Sequence, residues 1–371
     1  MARDDLSQAV LGPVLLNPDN FTPLSRTPWA GSSMSLRYKK EILKLPAEKK
    51  VGESWEFSCD PGMPSFLSEL GLSLPELIDQ KAQEILSPGL ASEDGCEILV
   101  KLLNADYPLS FQVHPEDHDP DLDPAECGKP ESWLVLDAEP GAGIYLGFRQ
   151  GVSKEELRQK LIEGRDLRED LFFLPVKPND YFDIAPGVPH AIGPGVTLLE
   201  PQRIQKGKSG KTYRLWDWNR RYFADGTISD DPKAGSPREL HIGACLRLIR
   251  PDLHCGPEFV KTLRRSPETI SLESGGLVLD FPANSWYRTQ RVWPAAKPQV
   301  SSYRIESGFG VLVILKGDLI IESEFGIRKV CQTGQPVLLP WQGRQYQFSA
   351  QDKDCNFALI SPAKGMSRWL S

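Results

Sequence analysis

Short runs of apolar residues alternate with polar ones along most of the chain, and this two-residue period is typical of β-strands. Clusters of Gly, Pro, Asn and Asp separate the runs, as turns do. Strands are predicted over residues 98–103, 109–113, 133–136, 181–184, 196–199, 310–315, 319–322, 336–339 and 345–348. The pattern therefore predicts a mainly β protein with helical insertions.

Two Ser-x-x-Glu spacings, beginning at Ser73 and Ser153, have the form of a helix capping box. The first predicts a helix over residues 75–86, with a proline in its first turn. The second predicts a helix that Gly164 interrupts and that continues as another helix over residues 166–173. These helices are the insertions in the β pattern.

A faint internal repeat relates two parts of the chain. Residues 180–190 and 334–346 both show five residues, a proline, and a short glycine-containing turn that leads into another strand. The first copy ends at His190, and the second has Tyr346 in the corresponding place. Such a repeat indicates two related β-barrels, of which the first alone carries the imidazole.

The composition is that of an ordinary globular protein, with 40% hydrophobic and 25% charged residues among 371. The net charge of −7 argues against nucleic-acid and anionic-membrane partners, which require clustered Lys and Arg. A small anionic substrate is compatible with this charge, because a few cations inside a pocket suffice to bind it.

The cysteines and the N-terminal segment bear on location. The seven cysteines are odd in number and show no CxxC spacing, which indicates reduced thiols rather than a disulfide framework. The N-terminal segment carries acids where a signal peptide needs a basic start, and no run approaches the roughly 18 apolar residues of a membrane span. We therefore expect a soluble, cytoplasmic protein.

Gln112 and His114 stand two residues apart in a predicted strand, so their side chains leave on the same face. Phe111 and Val113 leave on the other face. If the apolar pair packs between sheet layers, the polar pair must point into a barrel lumen, where polar groups need partners. The alternative is a surface strand with a polar outer face, and for a lone Gln-x-His pair that alternative is the better interpretation.

Two further residues change this balance. Glu131 lies at the mouth of the next apolar strand, and His190 follows a Pro/Gly turn that aims it from the start of another. Two imidazoles, a carboxylate and an amide oxygen form a mixed nitrogen and oxygen ligand set with room for water or substrate. Such a set is typical of a catalytic metal site.

Six segments of the chain resemble type I mannose-6-phosphate isomerases, in the family's order and with plausible gaps. They are GESWE (52–56), KLLNADYPLSFQVHP (101–115), GKPESW (128–133), PGVPHAIGPGVTLLEPQ (186–202), TYRLWDWNR (212–220) and PRELHI (237–242). Each segment is short, but the six together are specific. The resemblance is close over residues 52–242 and looser elsewhere, and residues 251–300 match little of the family.

The resemblance implies two cupin-type jelly-roll barrels, the first catalytic and the second degenerate and metal-free. We place the first domain at residues 1–245 and the second, with a connecting segment, at residues 246–371. The resemblance also implies an aldose–ketose isomerase that interconverts mannose 6-phosphate and fructose 6-phosphate through a cis-enediol. It implies one Zn²⁺ per chain, with Gln112, His114, Glu131 and His190 as its ligands. It also implies a functional arginine, which is Arg214 in this chain.

The isomerisation also requires a base and a cation for developing negative charge. Lys129 stands two residues from Glu131, and a nearby dication would disfavour its charged form and make it a usable base. Glu200 ends the strand after His190 and either carries the proton or holds a cation. Arg214 suits an enediolate or a phosphate oxygen. The alternatives are that Lys129 is an exposed turn residue, that Glu200 forms a surface ion pair, and that Arg214 stacks on tryptophan.

Lys101 and Ser110 are predicted to bind the phosphate, mainly on the resemblance. Two rival functions remain: a cupin oxygenase holding Fe(II), and a sugar-binding regulator without turnover. The amide ligand Gln112 and the cations Lys101, Lys129 and Arg214 argue against the oxygenase. The presence of the complete set argues against the regulator. The oligomeric state and the range of substrates are left open.

Overall fold

Strands dominate the computed structural model of the chain, which describes residues 3–93 and 95–370. The first strands are β1 (Val14–Leu15), β2 (Glu53–Phe57), β3 (Ile98–Ala105), β4 (Phe111–Val113), β5 (Glu126–Cys127), β6 (Glu131–Ala138), β7 (Gly143–Phe148), β8 (Leu171–Pro175), β9 (Tyr181–Ile184), β10 (His190–Ile192), β11 (Val196–Arg203), β12 (Ser209–Gly210) and β13 (Tyr213–Trp216). The remaining strands are β14 (Arg264–Arg265), β15 (Glu268–Ser271), β16 (Leu277–Asp280), β17 (Tyr287–Trp293), β18 (Ser301–Ser307), β19 (Gly310–Lys316), β20 (Leu319–Ser323), β21 (Arg328–Cys331), β22 (Pro336–Leu339), β23 (Gln345–Ala350), β24 (Asn356–Pro362) and β25 (Met366–Leu370).

Helices are interspersed among these strands along the chain, and the first helix precedes the first strand. They are α1 (Arg3–Ala9), α2 (Lys40–Leu43), α3 (Leu74–Leu86), α4 (Pro88–Ser92), α5 (Lys154–Ile162), α6 (Ile242–Leu248) and α7 (Gly256–Leu263), with a π-helical turn at Met34–Tyr38 and a 3₁₀ turn at Trp341–Gly343. Both predicted capping boxes are present at α3 and α5, where the serine accepts from the third helical amide and the glutamate reaches back.

Four main sheets make up the fold. Sheet 1 has the order β13-β4-β10-β7-β8, sheet 2 β14-β9-β6-β11-β3-β2, sheet 3 β1-β22-β19-β24-β17-β16-β15, and sheet 4 β21-β20-β23-β18-β25. Their strand pairs are antiparallel, and a separate small pair, β12 and β5, is parallel. None of the sheets closes on itself within residues 3–93 and 95–370.

The sheets are stacked in the order 1, 2, 3, 4, because each successive pair shares a hydrophobic core. Val135 and Leu198 of sheet 2 pack with Ile192 of sheet 1. The opposite face of sheet 2 packs on sheet 3, and sheet 3 packs in turn on sheet 4. Helices α5 and α6 cover the outer face of sheet 1. Two pairs of facing sheets, 1 with 2 and 3 with 4, are therefore joined through a central core, and the pair of closed barrels remains a prediction.

Sheet 2 is buried on both faces, so its strands read as continuous apolar runs interrupted by a few polar residues. In β11, Leu199 enters the core shared with sheet 3, whereas Leu198 enters the core shared with sheet 1. Glu200 and Gln202 continue the face of Leu198 by the two-residue alternation of a strand. This places two polar side chains between sheets 1 and 2.

The predicted strands are confirmed, several of them with longer bounds, and the mainly β class with helical insertions is confirmed with them. The helix predicted over residues 166–173 is wrong. Residues Leu171–Pro175 form β8, which pairs with β7 at the edge of sheet 1. Phe172 and Leu174 pack against the core between sheets 1 and 2, whereas Phe173 contacts the ring of Tyr145 on the other side. The side chains therefore alternate with the two-residue period of a strand rather than with the period of a helix.

All seven cysteines are free thiols, as expected. In the described part of the chain, no helix combines the length and the apolar character that crossing a bilayer requires.

Candidate active site

Three potential metal ligands from both walls of the space between sheets 1 and 2 converge on one point. His114 follows β4, His190 begins the neighbouring β10, and Glu131 begins β6 on the opposite sheet. Their ligand atoms all lie within 4.8 Å of one another. Nε2 of His114 is 3.2 Å from Oε2 of Glu131, and Nε2 of His190 is 3.3 Å from its Oε1.

The alternation that suggested this site is confirmed. Phe111 and Val113 pack under the helices on the outer face of sheet 1. Gln112 consequently faces inward, beside His190, its partner in the register of β4 and β10.

The hydrogen bonds of the two histidines define their tautomers. Nδ1 of His114 lies 3.1 Å from the carbonyl oxygen of Lys211, and Nδ1 of His190 lies 2.9 Å from that of Val188. Because a carbonyl only accepts, each Nδ1 carries the proton and each Nε2 presents a lone pair to Glu131. Burial lowers the pKa of His114 to about 3 and also lowers that of His190, so both rings are neutral at physiological pH.

A cation would satisfy atoms that the protein leaves unpaired. Nε2 of His114 and Oε1 of Glu131 are buried, and neither has a hydrogen-bond partner among residues 3–93 and 95–370. The contacts between these imidazole nitrogens and the carboxylate bring acceptors together without a proton between them. Unpaired acceptors of this kind are costly when buried. A divalent ion that accepts a lone pair from each imidazole and from the carboxylate removes the cost. The residues therefore fit a metal of the kind that imidazole and carboxylate bind.

Gln112 lies beside this triad. Its Nε2 is 3.4 Å from Nε2 of His190, and its Oε1 accepts from the hydroxyl of Ser110 at 3.2 Å. A half-turn of the amide would exchange these atoms, so that Oε1 faces the metal position and Nε2 donates to Ser110. The role of Gln112 as fourth ligand remains a prediction.

Two carboxyl groups near the metal position have opposite protonation tendencies. Burial raises the pKa of Glu131, but His114 and Lys129 outweigh burial and bring it well below its usual range. Burial and the charge of Glu131 raise the pKa of Glu200 to about 8. Gln202 bridges the two carboxyl groups, donating to Glu131 at 2.8 Å and to Glu200 at 2.6 Å. Such a separation of pKa values is what acid–base chemistry requires.

Lys129 is buried, so the exposed-turn alternative is wrong. Its Nζ lies 3.4 Å from Oε2 of Glu131. Burial lowers the pKa of Lys129, but Glu131, Glu200 and Glu53 outweigh burial and raise it. The protein groups alone therefore favour the charged amine, opposite to the direction expected beside a dication.

Lys101 and Glu200 are also buried, which excludes a surface ion pair for Glu200. Nζ of Lys101 lies 3.9 Å from a carboxylate oxygen of Glu53 and 3.9 Å from one of Glu200. It also lies 4.2 Å from the ring centroid of Trp55. Oε1 of Glu200 accepts from the indole of Trp133 at 3.0 Å.

Arg214 lies on the inward face of β13, because Tyr213 and Leu215 pack on the outer face. Its Nη1 donates to the carbonyl of Glu239 at 2.8 Å. Its Nε has no hydrogen-bond partner within the described residues. Burial and the charge of Arg238 lower the pKa of Arg214, which leaves it a cation in need of an anion.

These groups line one cavity of about 480 Å³, within the range typical of small-molecule sites. Sheets 1 and 2 supply most of its walls, and residues 22–29 supply part of the rest. Lys101, Ser110, Gln112, Lys129, His190, Glu200 and Arg214 all reach its surface. His114 and Glu131 lie at the metal position with His190.

The sequence reasoning missed several residues of this cavity. They are Arg26, Glu53, Trp55, Gln202 and Arg238. Gln202 stands two residues after Glu200 in the same strand, so its inward orientation could have been inferred from alternation. Arg26 and Arg238 come from irregular segments, where no periodicity indicates a direction.

No protein-family model matches the chain. The chain is 34% identical over 327 residues to a mannose-6-phosphate isomerase of Streptococcus mutans, which covers 86% of this chain and 91% of that protein.

Solved structures share the fold. The mannose 6-phosphate isomerase of Bacillus subtilis superposes with a TM-score of 0.75 at 22% identity, covering 94% of this chain and 99% of that one. A mannose 6-phosphate isomerase bound with zinc and yttrium superposes with a TM-score of 0.64 at 14% identity, covering 95% and 99%. At these identities the structural likeness establishes the architecture alone.

Proposed function

The chain belongs to the mannose-6-phosphate isomerase family and is an isomerase, and from this premise we propose that it interconverts mannose 6-phosphate and fructose 6-phosphate. The observation that carries the proposal is the convergence of His114, Glu131 and His190 at the edge of a cavity of about 480 Å³. The unpaired Nε2 of His114 and Oε1 of Glu131 support a divalent metal.

We assign the metal position to one Zn²⁺ held by Gln112, His114, Glu131 and His190. Neutral imidazoles and an ionised carboxylate suit zinc, and a related isomerase has been solved with zinc bound. When bound, zinc would supply Lewis acidity toward the sugar oxygens. The carbonyls of Lys211 and Val188 hold the two rings in the orientation that the ion requires.

The proton that moves between C1 and C2 is assigned to Glu200. A carboxyl whose pKa is about 8 can both release and accept a proton near neutral pH. Trp133 and Gln202 orient it by their hydrogen bonds. Lys129 supplies positive charge for the enediol oxygens, Arg214 supplies it for the charged oxygens of the sugar phosphate, and Lys101 and Ser110 contact the substrate from the same cavity.

The proposed architecture is two cupin-type jelly-roll domains, divided near residue 245, with the first catalytic. The two pairs of facing sheets support two domains, but the division is not sharp at residue 245, because β1 pairs with β22 of sheet 3 and β14 pairs with β9 of sheet 2. The second domain carries Tyr346 where the first has His190, and the Tyr346 hydroxyl donates to the carbonyl of Pro340 at 2.6 Å. The free thiols support a cytoplasmic location.

A coupled assay of mannose 6-phosphate conversion, before and after chelation and with zinc added back, tests the proposal. We expect chelation to abolish activity and zinc to restore it. Glu131→Gln should reduce both zinc content and turnover by at least about 100-fold, since it removes the ionised ligand. Glu139→Gln, an exposed carboxyl change, is the matched control.

Each other outcome would contradict the proposed function in a different way. A folded chain that binds no metal would overturn the site. Tight metal binding without turnover would indicate the regulator, and iron-dependent oxygen consumption would indicate the oxygenase.

A further inference from the structure

Asp217 is a buried carboxylate just after β13 that organises the irregular segment following it. It accepts from Nε and Nη2 of Arg238 at 2.7 and 2.8 Å, and from Nη2 of Arg220 at 2.7 Å. The hydroxyl of Tyr222 donates to it at 2.9 Å. Asp217 thus ties together both ends of the segment between Tyr222 and Arg238.

The backbone brings Arg238 close to Arg214. The amide of His241 donates to the carbonyl of Arg214 at 2.8 Å, and the amide of Arg214 donates to Nδ1 of His241 at 3.1 Å. The side chain of Arg214 reaches the carbonyl of Glu239. The segment ending at His241 therefore runs beside β13, and both guanidinium groups line the same cavity.

Charge is distributed unequally along this cavity. Around the metal position, Lys101 and Lys129 face the carboxyl groups of Glu53, Glu131 and Glu200. At that end each lysine has an ionised carboxylate beside it, Glu53 for Lys101 and Glu131 for Lys129, so neither cation lacks a counter-charge.

At the other end, the guanidinium groups of Arg214 and Arg238 line the cavity. The carboxylate of Asp217, which holds Arg238, also pairs with Arg220, and this second pair lies outside the cavity lining. This arrangement suits an anion. Two guanidinium groups brought together inside a cavity repel each other unless an anion lies between them.

We propose that Arg238, together with Arg214, binds the phosphate group of the sugar, and that Asp217 is the positioning residue that holds Arg238 in the cavity. The identity of the ligand as a sugar phosphate rests on the proposed function. Guanidinium groups match the geometry of phosphate oxygens. Lys101 is less suited to a dianion, because two carboxylates already lie 3.9 Å from its Nζ.

Inorganic phosphate is the probe, titrated calorimetrically into the zinc-loaded and the metal-free protein to separate binding at arginine from binding at the ion. We expect Arg238→Met to weaken phosphate binding about tenfold or more in both forms. The KM for mannose 6-phosphate should rise by a similar factor, with a smaller change in kcat. Arg238→Lys keeps the charge but cannot make both bonds to Asp217, so it should lie between wild type and Arg238→Met.

Asp217→Asn should raise KM in the same direction, because Arg238 loses its charged anchor. A merely structural role of Asp217 would lower the melting temperature and the amount of active enzyme without raising KM. If Arg238→Met fails to fold, the Arg238→Lys variant decides by the same titration.

Two controls remove a positive charge from the same segment. Arg221→Met removes an arginine that donates to the carbonyls of Ala234 and Gly235. Arg220→Met removes the other arginine of Asp217. Both should bind phosphate within about twofold of wild type, a free-energy difference below about 0.5 kcal/mol.

Unchanged phosphate binding in Arg238→Met would overturn the inference. So would an equal loss in Arg220→Met, or a loss confined to Lys101→Met. No phosphate binding by the wild type would overturn it as well. If phosphate binds through Arg238 but mannose 6-phosphate is not converted, the anion site stands and the proposed function fails.

Discussion

Glu131 and Glu200 show how neighbouring residues with the same side chain acquire different chemistry. Both are buried in sheet 2, and Gln202 contacts both. Glu131 faces the charged Lys129 at 3.4 Å, which favours its ionised form. Glu200 faces the charge of Glu131 in a buried position, which keeps it protonated near neutral pH. Environment rather than residue type therefore separates the two carboxyl groups, as the proposed roles in metal binding and proton transfer require.

Glu200→Gln should stabilise the metal-free protein at high pH and abolish most activity. A carboxyl whose folded pKa is about 8 destabilises the fold increasingly as pH rises from about 4.5 to 8, because the unfolded chain ionises first. The variant should therefore exceed wild type by about 2–4 kcal/mol at pH 8, with the difference shrinking toward pH 5. Urea unfolding at several pH values measures this.

In the same variant, kcat should fall by about 100-fold or more if Glu200 carries the proton. Glu139→Gln again serves as the exposed control, with no pH-dependent difference expected. A difference in stability that grows toward low pH would contradict the assignment of a raised pKa to Glu200.

Sequence alone could bring the candidate metal ligands together because strand alternation and turn chemistry act locally. Gln112 was placed inward by the apolar residues on either side of it, and His190 by the Pro/Gly turn before it. Arg238 could not be found in this way. Its position depends on Asp217, 21 residues earlier, across an irregular segment, so only the folded chain brings the pair together.

Strand β2 owes its shape to a buried ion pair on its far side. The register with β3 shifts between Trp55 and Phe57, so Glu56 is the extra residue of a bulge. Its carboxylate lies 2.6 Å from Nζ of Lys39, which also donates to the carbonyl of Gly334 at 2.7 Å. The pair therefore connects the strand carrying Trp55 to the turn before β22 in sheet 3.

Replacing one partner of this ion pair should lower the free energy of unfolding more than its share of the loss when both are replaced. Lys39→Met or Glu56→Leu alone should each lower the free energy of unfolding by about 3–5 kcal/mol, because one buried group loses its charged partner. The double variant Lys39→Met/Glu56→Leu should be less destabilised than the sum of the single changes. A urea double-mutant cycle measures the coupling, and strictly additive effects would contradict a direct interaction.

The elements were predictable where a local signal was strong. Both capping boxes identified their helices, and the alternating runs identified the strands. The failure at β8 has a physical cause: Leu171, Phe172 and Leu174 fit a helical spacing as well as a strand, and only pairing with β7 decides between them. Strand lengths were also underestimated, as in β11, because Glu200 and Gln202 interrupt the apolar run although they remain in the ladder.

The core between sheets 2 and 3 binds the two halves of the chain into one structure. Leu134 and Leu199 of sheet 2 share it with Val311 and Ile360 of sheet 3. The hydroxyl of Tyr287 donates to the carbonyl of Pro201 across the same boundary at 2.7 Å. The stacking of four sheets could not be predicted from the sequence, because continuous apolar strands do not reveal which layer covers them.

The whole chain should unfold in a single calorimetric transition, and a fragment ending at residue 245 should show no cooperative transition. The fragment exposes the face of sheet 2 that packs on sheet 3 in the whole chain. It also lacks β14, which pairs with β9. The ratio of calorimetric to van't Hoff enthalpy tests the first statement. Near-ultraviolet circular dichroism of the fragment tests the second. Two separated transitions in the whole chain would contradict a shared core.

The order of the sheets also has a practical consequence for handling the protein. Every residue lining the cavity lies between Thr22 and Arg238, and sheet 4 stands on the far side of sheet 3 from it. Lys353 is exposed in the turn that joins β23 of sheet 4 to β24 of sheet 3, outside the sheets that form the cavity. A resin, a fluorophore or a fusion partner attached there would keep its bulk away from the cavity, so the enzyme could be anchored to a solid surface without obstructing its chemistry.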